Sequence, residues 1–454
     1  MKSDRVNFGS KLGVILASAG SAVGLGNIWR FPYETGQHGG AAFILIYLVC
    51  VFVLGMPIMI SEFLIGRRSR ANTAGAYQVL APHSPWRWVG FMGVLAGFLI
   101  LSYYSVVAGW PLEYVLEAGA NGFANKSAEE FKSAFVAFSQ NPVRPLIWLT
   151  AFLLMTHYVI VKGVKKGIER FSKIMMPLLF ILILVLVFCS LSLPNADKGL
   201  EFLLYPDFSK VDSNVFLGAM GQAFFSLSLG MGCLCTYASY FSKDTNLSKT
   251  AFSVGVIDTV VAILAGLIIF PAAFSVGISP DAGPSLIFIT LPNVFQQAFS
   301  GAPVLSYVFS LMFYILLALA ALTSTISMHE VVTAFIHEEF HVSRTVAARW
   351  VTGGCIVLGI LCSLSLGVLQ YLTVFHLSFF DLFDFVTAKI MLPLGGMFIA
   401  LFTGWYLDRK LVEDELTNEG TLKVRFFKLY IFILRYIAPI AIAIIFINEL
   451  GLLS

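Results

Sequence analysis

Residues Gly20 to Pro32 read GSAVGLGNIWRFP and lie inside an apolar stretch long enough to cross a bilayer. Three glycines (Gly20, Gly24 and Gly26), then Asn27 and Arg30, interrupt that stretch. Glycine costs about 1 kcal/mol relative to alanine in a helix interior, and a charge in the middle of a membrane helix costs roughly 2.5 to 3.5 kcal/mol even on insertion scales. A span that carries both must recover that free energy through something it lines or binds.

The surrounding chain has a membrane composition. Of 454 residues, 58% are hydrophobic and only 12% charged, and the mean hydropathy is +0.85, far from the balance of a soluble domain. Runs of roughly 20 apolar residues fit a hydrocarbon core about 30 Å thick. Eleven such runs begin near Lys11, Ala41, Arg87, Leu146, Ile168, Asn214, Lys249, Val304, Ala347, Ser378 and Phe426. The chain therefore reads as an all-α polytopic membrane protein of eleven spans, one transmembrane domain over 1–454, with the lipid bilayer as its solvent. The longest polar stretches, Ala120 to Pro145 and Asp408 to Arg425, are too short to fold alone.

Lys and Arg gather on one side: Lys2 and Arg5, then Arg67, Arg68 and Arg70, then Lys162 to Lys173, Lys243 to Lys249, Arg344, and Arg409 to Lys428. By the positive-inside rule that side, with the N-terminus, is cytoplasmic, and an odd span count puts the C-terminus outside. The expected location is the plasma (inner) membrane. The net charge of +3 is spread over these loops, and no concentrated basic patch points to nucleic acid. All six cysteines fall in apolar segments, so no disulfide is expected.

A second glycine-interrupted segment, GQAFFSLSLGMGCLCTYASY, runs from Gly221 to Tyr240, five spans after the first. Spans one and six are corresponding members of two five-span halves, and because five is odd the second half inserts upside down. The first repeat covers about 8–193, the second about 214–408, and an extra helix about 426–451. Paired interruptions at matching positions point to an inverted-repeat transporter with its site at the midplane; small-residue helix packing is the plainer account of either segment alone. Broken helices leave carbonyls and amides that hydrocarbon cannot satisfy. Free carbonyls suit a cation, and exposed helix N-termini suit a carboxylate.

At these residues the sequence resembles the neurotransmitter:sodium symporter family, in particular its bacterial hydrophobic amino acid transporters. The resemblance is carried by AGSAVGLGNIWRFP (Ala19 to Pro32), QHGGAAF (Gln37 to Phe43), the GxPxMxxEFxxGR pattern from Gly55 to Arg67, KGIERFSKIMMP (Lys166 to Pro177), FFSLSLGMG (Phe224 to Gly232), TYASY (Thr236 to Tyr240) and ALTSTIS (Ala321 to Ser327). It implies two sodium ions: one held by Ala22, Asn27, Ser226 and Asp258 together with the substrate carboxylate, the other by Gly20, Val23, Ala320, Thr323 and Ser324. It implies a substrate site from Ala22, Gly24, Leu25, Gly26, Ile100, Tyr104, Phe225, Ser226, Ser228, Met231, Ser324 and Met328, with Tyr104 bonding the substrate carboxylate and Phe225 as a lid. Gly24 stands where amine transporters of the family place an aspartate, so the substrate must bring its own carboxylate. Met231 and Met328 are adaptable linings, and large neutral side chains are expected.

The resemblance further implies an outer gate in which Arg30 pairs with Asp384, with Asp381 nearby, and an inner gate in which Arg5 pairs with Glu338, supported by Ser239 and Tyr240. Phe8 replaces the family's usual tryptophan. Gly167 and Pro177 give a Gly-x9-Pro spacing whose local unwinding would admit water to the second ion. Asp258 replaces a common asparagine, and with Ala262 one turn on it is the candidate to supply the fixed charge that other members take from chloride, near Tyr47 and Gln222. The function implied is a sodium-coupled importer of neutral hydrophobic L-amino acids working by alternating access, not an enzyme, as a monomer or weak oligomer. An amino acid sensor or channel-like protein on the same fold is the alternative. HEEFH, His337 to His341, matches a zinc-protease pattern, but it falls at a helix end with no evident third ligand.

Overall fold

The computed structural model describes residues 5–277 and 286–449; Lys2 and the last two residues of the expected eleventh span lie outside that range. Among the described residues nine single helices are long and apolar enough to cross a membrane: Ala41–Ser69 (span 2), Arg87–Gly119 (span 3), Arg144–Val161 (span 4), Val164–Leu191 (span 5), Leu247–Ser275 (span 7), Pro303–Glu339 (span 8), Arg344–Leu364 (span 9), Phe379–Tyr406 (span 10) and Phe427–Asn448 (span 11). Span 1 is a pair, Lys11–Ala22 and Gly26–Gln37, bent by 54°. Span 6 is also a pair, Ser213–Ser226 and Cys233–Ala238. Its interruption is long enough that only the pairing of both halves makes an eleventh crossing.

Each break has a local cause. The first half of span 1 starts on Ser10, whose hydroxyl accepts the Gly13 N–H at 3.0 Å, and stops at Val23, which is extended (φ −69°, ψ 112°). In span 6, Ser228, Gly230 and Gly232 take φ of 54°, 84° and 77°, a region that favours glycine and ends the helical hydrogen-bond ladder.

Proline explains most of the π-helical turns. Those at Gly26–Arg30, Val51–Gly55, Leu286–Thr290, Phe385–Met391 and Ile433–Ile437 are each followed two residues later by a proline: Pro32, Pro57, Pro292, Pro393 and Pro439. Proline donates no N–H and its ring pushes away the carbonyl four residues back, so the preceding turn widens. Phe31 accordingly bonds back to Gly26 O, five residues away.

Packing gathers the broken spans at the centre. The first half of span 1 lies against spans 5, 7 and 8, the second half of span 6 lies against span 2, and span 3 runs along span 8. Gly66 permits the closest of these approaches, since a Cβ there would stand 2.0 Å from Cys235 O. The polar stretches between spans carry short helices, Ala128–Ser139 and Arg409–Thr417. All six cysteines are free.

Candidate functional site

The breaks of spans 1 and 6 meet. Ser228 Oγ donates to Ser21 O at 2.9 Å, joining the two interruptions directly. The amides released at the first break find side-chain acceptors: Gly24 N–H donates to Asn27 Oδ1 at 2.9 Å, and Leu25 N–H donates to the Tyr104 hydroxyl oxygen at 3.1 Å. Tyr104 thus accepts there and keeps its own proton for a further acceptor.

Around Asn27 the oxygens converge. Its Nδ2 lies 2.7 Å from Asp258 Oδ1, 3.1 Å from Asp258 O and 3.2 Å from Ser226 Oγ. Three oxygens from spans 6 and 7 therefore face one point, fully buried. An amide NH2 or a hard cation satisfies such a cage, and rotating the Asn27 amide by half a turn would make its oxygen one more ligand. Ala22 ends the helix beside this point, so its carbonyl has no intrahelical partner. The other Asp258 oxygen, Oδ2, accepts from Ser226 Oγ at 2.8 Å and from Tyr47 OH at 3.3 Å. Gln222 does not join them; its Nε2 donates to Gly26 O at 3.3 Å.

A second oxygen cluster lies between spans 1 and 8. Thr323 Oγ1 and Ser324 Oγ both donate to Val23 O at 3.1 Å, and Thr323 Oγ1 lies 2.8 Å from Ala320 O. Gly20 completes the wall, with Thr323 Cβ 3.5 Å from where its own Cβ would be. Its polar groups are carbonyl and hydroxyl oxygens, the donor set that a hard monovalent cation takes, with Met176 Sδ also against the Gly20 wall.

A cavity of about 390 Å³ opens beside these clusters toward the side away from the basic loops, lined by Leu25, Gly26, Tyr104 and Phe225 of the expected substrate site and by Trp29, Arg30, Glu34, Tyr103, Phe380, Asp381 and Asp384 above them. Ala22, Gly24, Ile100, Ser226, Ser228, Met231, Ser324 and Met328 are not part of that lining. Of these, Gly24 lies against Ser324, where a Cβ would meet Ser324 Oγ at 2.3 Å.

Of the two expected gate pairs, one is made and the other is not. On the basic side Arg5 pairs with Glu338, and Glu338 also accepts from the Asn72 backbone at 2.8 Å and from its side chain at 3.0 Å. Phe8 is buried against Tyr237, Tyr240 and Phe241. Tyr240 supports Arg5 with its ring, 4.8 Å from the guanidinium carbon. Its hydroxyl instead donates to Glu330 Oε1 at 2.7 Å, and Ser239 turns back to Thr236 O. On the opposite side the expected Arg30–Asp384 pair is not made. Arg30 Nε lies 3.5 Å from Glu34 Oε1, with its guanidinium 4.6 Å from the Phe225 ring centre. Asp384 accepts from Tyr103 at 3.0 Å, and Asp381 is occupied with Ser378 at 2.7 Å. The physical reason is that each group has another partner here: Arg30 has Glu34 and the Phe225 ring, and Asp384 has the Tyr103 hydroxyl.

Several buried carboxylates that the sequence reading passed over organise the site. Glu62 accepts from Gly230 N at 2.8 Å and Cys235 N at 3.2 Å, supplying the acceptors that the break in span 6 removes. Glu330 pairs with Arg344. Glu169 accepts from Gly9 N at 2.6 Å and Ser10 Oγ at 3.0 Å, tying the start of span 1 to span 5. An acid inside an apolar run was the available signal for Glu62 and Glu330. The Gly167 region is wound here, as a π turn over Val164–Glu169. HEEFH does not present two histidines on one face, because the helix ends at Glu339 and His341 has φ 54°.

Two broken spans meeting at oxygen-lined clusters beside a cavity that opens to one side are the arrangement of an ion-coupled secondary transporter. Comparison with known proteins carries this further: the chain belongs to the sodium:neurotransmitter symporter family, whose model matches residues 5–131 and 126–453. It is 41% identical over 450 residues to the uncharacterized sodium-dependent transporter YhdH of Bacillus subtilis, covering 99% of this chain and 98% of that one. It is 26% identical to the human sodium- and chloride-dependent GABA transporter 2, over 91% of this chain and 75% of the relative. Among solved structures it resembles the crystal structure of MhsT in complex with L-phenylalanine, with 47% identity, a TM-score of 0.88, and coverage of 98% of this chain and all of MhsT. The protein is thus a sodium-dependent symporter and not an enzyme.

Proposed function

We propose that this symporter imports neutral hydrophobic L-amino acids with two sodium ions by alternating access, across the plasma (inner) membrane with its N-terminus in the cytoplasm, as a monomer or weak oligomer. The observation that carries the reading is the junction of the two breaks. Leu25 and Tyr104 line the cavity floor, and the Tyr104 hydroxyl, which accepts the Leu25 N–H, keeps its own proton for a carboxylate near the Asn27–Ser226–Asp258 oxygens. The cavity is lined by aromatic and aliphatic residues, among them Trp29, Val107, Phe224, Phe225 and Phe380, together with the charged Arg30, Glu34, Asp381, Asp384 and Lys389; the apolar part suits an apolar side chain. The likeness to MhsT, whose structure holds L-phenylalanine, supports the same substrate class.

Sodium at the first cluster would draw on Ala22, Asn27, Ser226 and Asp258, and at the second on Gly20, Val23, Ala320, Thr323 and Ser324. Both sets take oxygens from a break of span 1 and from a neighbouring intact or broken span, so ion binding orders the broken helices before the amino acid arrives. The amino acid then finds a preorganised site, and by linkage it tightens sodium in turn. Closing Arg30 onto Asp384 and releasing Arg5 from Glu338 would transfer the site from one face to the other. The repeats about 8–193 and about 214–408 supply the two moving halves, with the helix at about 426–451 outside them.

The test is a thermal-shift screen of the twenty amino acids in sodium and in potassium, followed by uptake into proteoliposomes. Stabilisation by phenylalanine, leucine and their kind in sodium alone is the expected result. Stabilisation that ignores the cation, or that favours charged amino acids, refutes the reading. Binding without sodium-driven counterflow would instead identify a sensor.

A further inference from the structure

We infer that Glu34 competes with Asp384 for the Arg30 guanidinium, so that closing the vestibule is an exchange of one carboxylate for the other. This rests on the transporter reading above and adds a residue to its gate. Arg30 and Glu34 stand at i and i+4 on one face of the second half of span 1, and His38 caps its C-terminal end four residues further on. Arg30 Nε is 3.5 Å from Glu34 Oε1, at the weak end of hydrogen-bond geometry. Glu34 is itself held from behind: His38 Nδ1 lies 3.3 Å from its Oε2 and 2.9 Å from its backbone oxygen. A ring nitrogen facing two oxygens carries the proton, so Nδ1–H is shared between them. The His38 ring is fixed in turn by stacking on Phe43, centroids 5.5 Å apart. Glu34 is therefore a preplaced anion and Arg30 the movable group.

Across the cavity, Asp384 is oriented by Tyr103 OH at 3.0 Å, and Arg30, Glu34 and Asp384 all line the same space. One guanidinium thus shares this space with three carboxylates, Glu34 on its own helix and Asp381 and Asp384 on span 10, and with the Lys389 ammonium. Asp381 already accepts from Ser378 at 2.7 Å, which leaves Glu34 and Asp384 as the alternatives for Arg30. The Glu34 contact exists with the vestibule open, so it stabilises the open arrangement by whatever it is worth. Moving Arg30 to Asp384 gives that contact up. Neutralising Glu34 removes the competitor and leaves Asp384 as the destination.

The experiment places a cysteine at Ala388 in the vestibule wall and measures its labelling by a membrane-impermeant maleimide in potassium, in sodium, and in sodium with phenylalanine. In the Glu34→Gln protein, labelling in sodium should slow, and the phenylalanine concentration giving half protection should fall, each about two- to fivefold. That range corresponds to about 0.5 to 1 kcal/mol for a part-exposed ion pair at tenfold per 1.4 kcal/mol. Asp384→Asn removes the destination, so adding Glu34→Gln to it should change nothing further. A Glu34→Gln effect that persists in the Asp384→Asn background, an unchanged rate, or faster labelling would overturn the competition. If Glu34→Gln does not yield folded protein, Glu34→Ala is read by the same criteria. A parent whose labelling ignores sodium and phenylalanine overturns the transporter reading itself, whereas a responsive parent with an unresponsive Glu34→Gln overturns the Glu34 inference alone.

Discussion

Replacing Asp258 by asparagine removes a buried negative charge while keeping an oxygen in nearly the same place. In the folded protein that carboxylate touches Asn27 Nδ2 at 2.7 Å, Ser226 Oγ at 2.8 Å and Tyr47 OH at 3.3 Å. One oxygen thus faces the first oxygen cluster, and the other is spent on two hydroxyl donors of the kind that hold a chloride ion. A unit charge about 4 Å from a cation contributes about 4 kcal/mol at an effective dielectric constant near 20. Complete loss of that term would lower sodium affinity about a thousandfold. Because the amide oxygen remains a ligand, a loss of about ten- to a hundredfold is the expected outcome, roughly 1.4 to 2.8 kcal/mol. In the variant, Tyr47 and Ser226 no longer serve a carboxylate, and added chloride can take their protons and restore part of the lost affinity. The assay is amino acid uptake into proteoliposomes in sodium gluconate against sodium chloride. Wild type should transport equally in both, and Asp258→Asn should transport better in chloride. A wild type that stops in gluconate, or a variant with unaltered sodium affinity, would show that Asp258 does not stand in for the anion.

Other perturbations read different parts of the site. Asn27→Ala deletes the amide at the centre of the first cluster and should abolish sodium-dependent thermal stabilisation, whereas a packing role alone would leave sodium affinity intact. Met328→Phe should penalise tryptophan more than alanine or valine in competition uptake, since a filled pocket excludes large guests first; equal loss of every substrate would remove Met328, and by the same argument Met231, from the pocket. Glu62→Ala strands the amides of Gly230 and Cys235 away from water, and at about 1 to 3 kcal/mol for each unsatisfied buried group it should lower the unfolding temperature clearly. A thermal melt superimposable on wild type would mean the break of span 6 is stabilised some other way.

The eleven crossings follow from the length of each apolar run and the thickness of a bilayer, which is a one-dimensional property of the chain. The break of span 6 was also legible locally, since Gly230 and Gly232 take the positive φ that glycine tolerates best. Most π turns are local as well, each set by a proline two residues ahead. The resemblance carried by GSAVGLGNIWRFP and the other quoted blocks proposed residues for the sites, and the structure pairs Arg5 with Glu338.

The tertiary structure decided which distant groups share a point and which state the gates occupy. No spacing in the chain reveals that Glu62 caps the far half of span 6 or that Glu169 receives the amide of Gly9, because both contacts cross between spans more than 150 residues apart. Arg30 shows the limit most clearly. The sequence offers it two carboxylates, Glu34 four residues away and Asp384 on another span, and each is chemically sufficient. The choice depends on the width of the vestibule between spans 1 and 10, which is a relation between packed helices and not a property of either one.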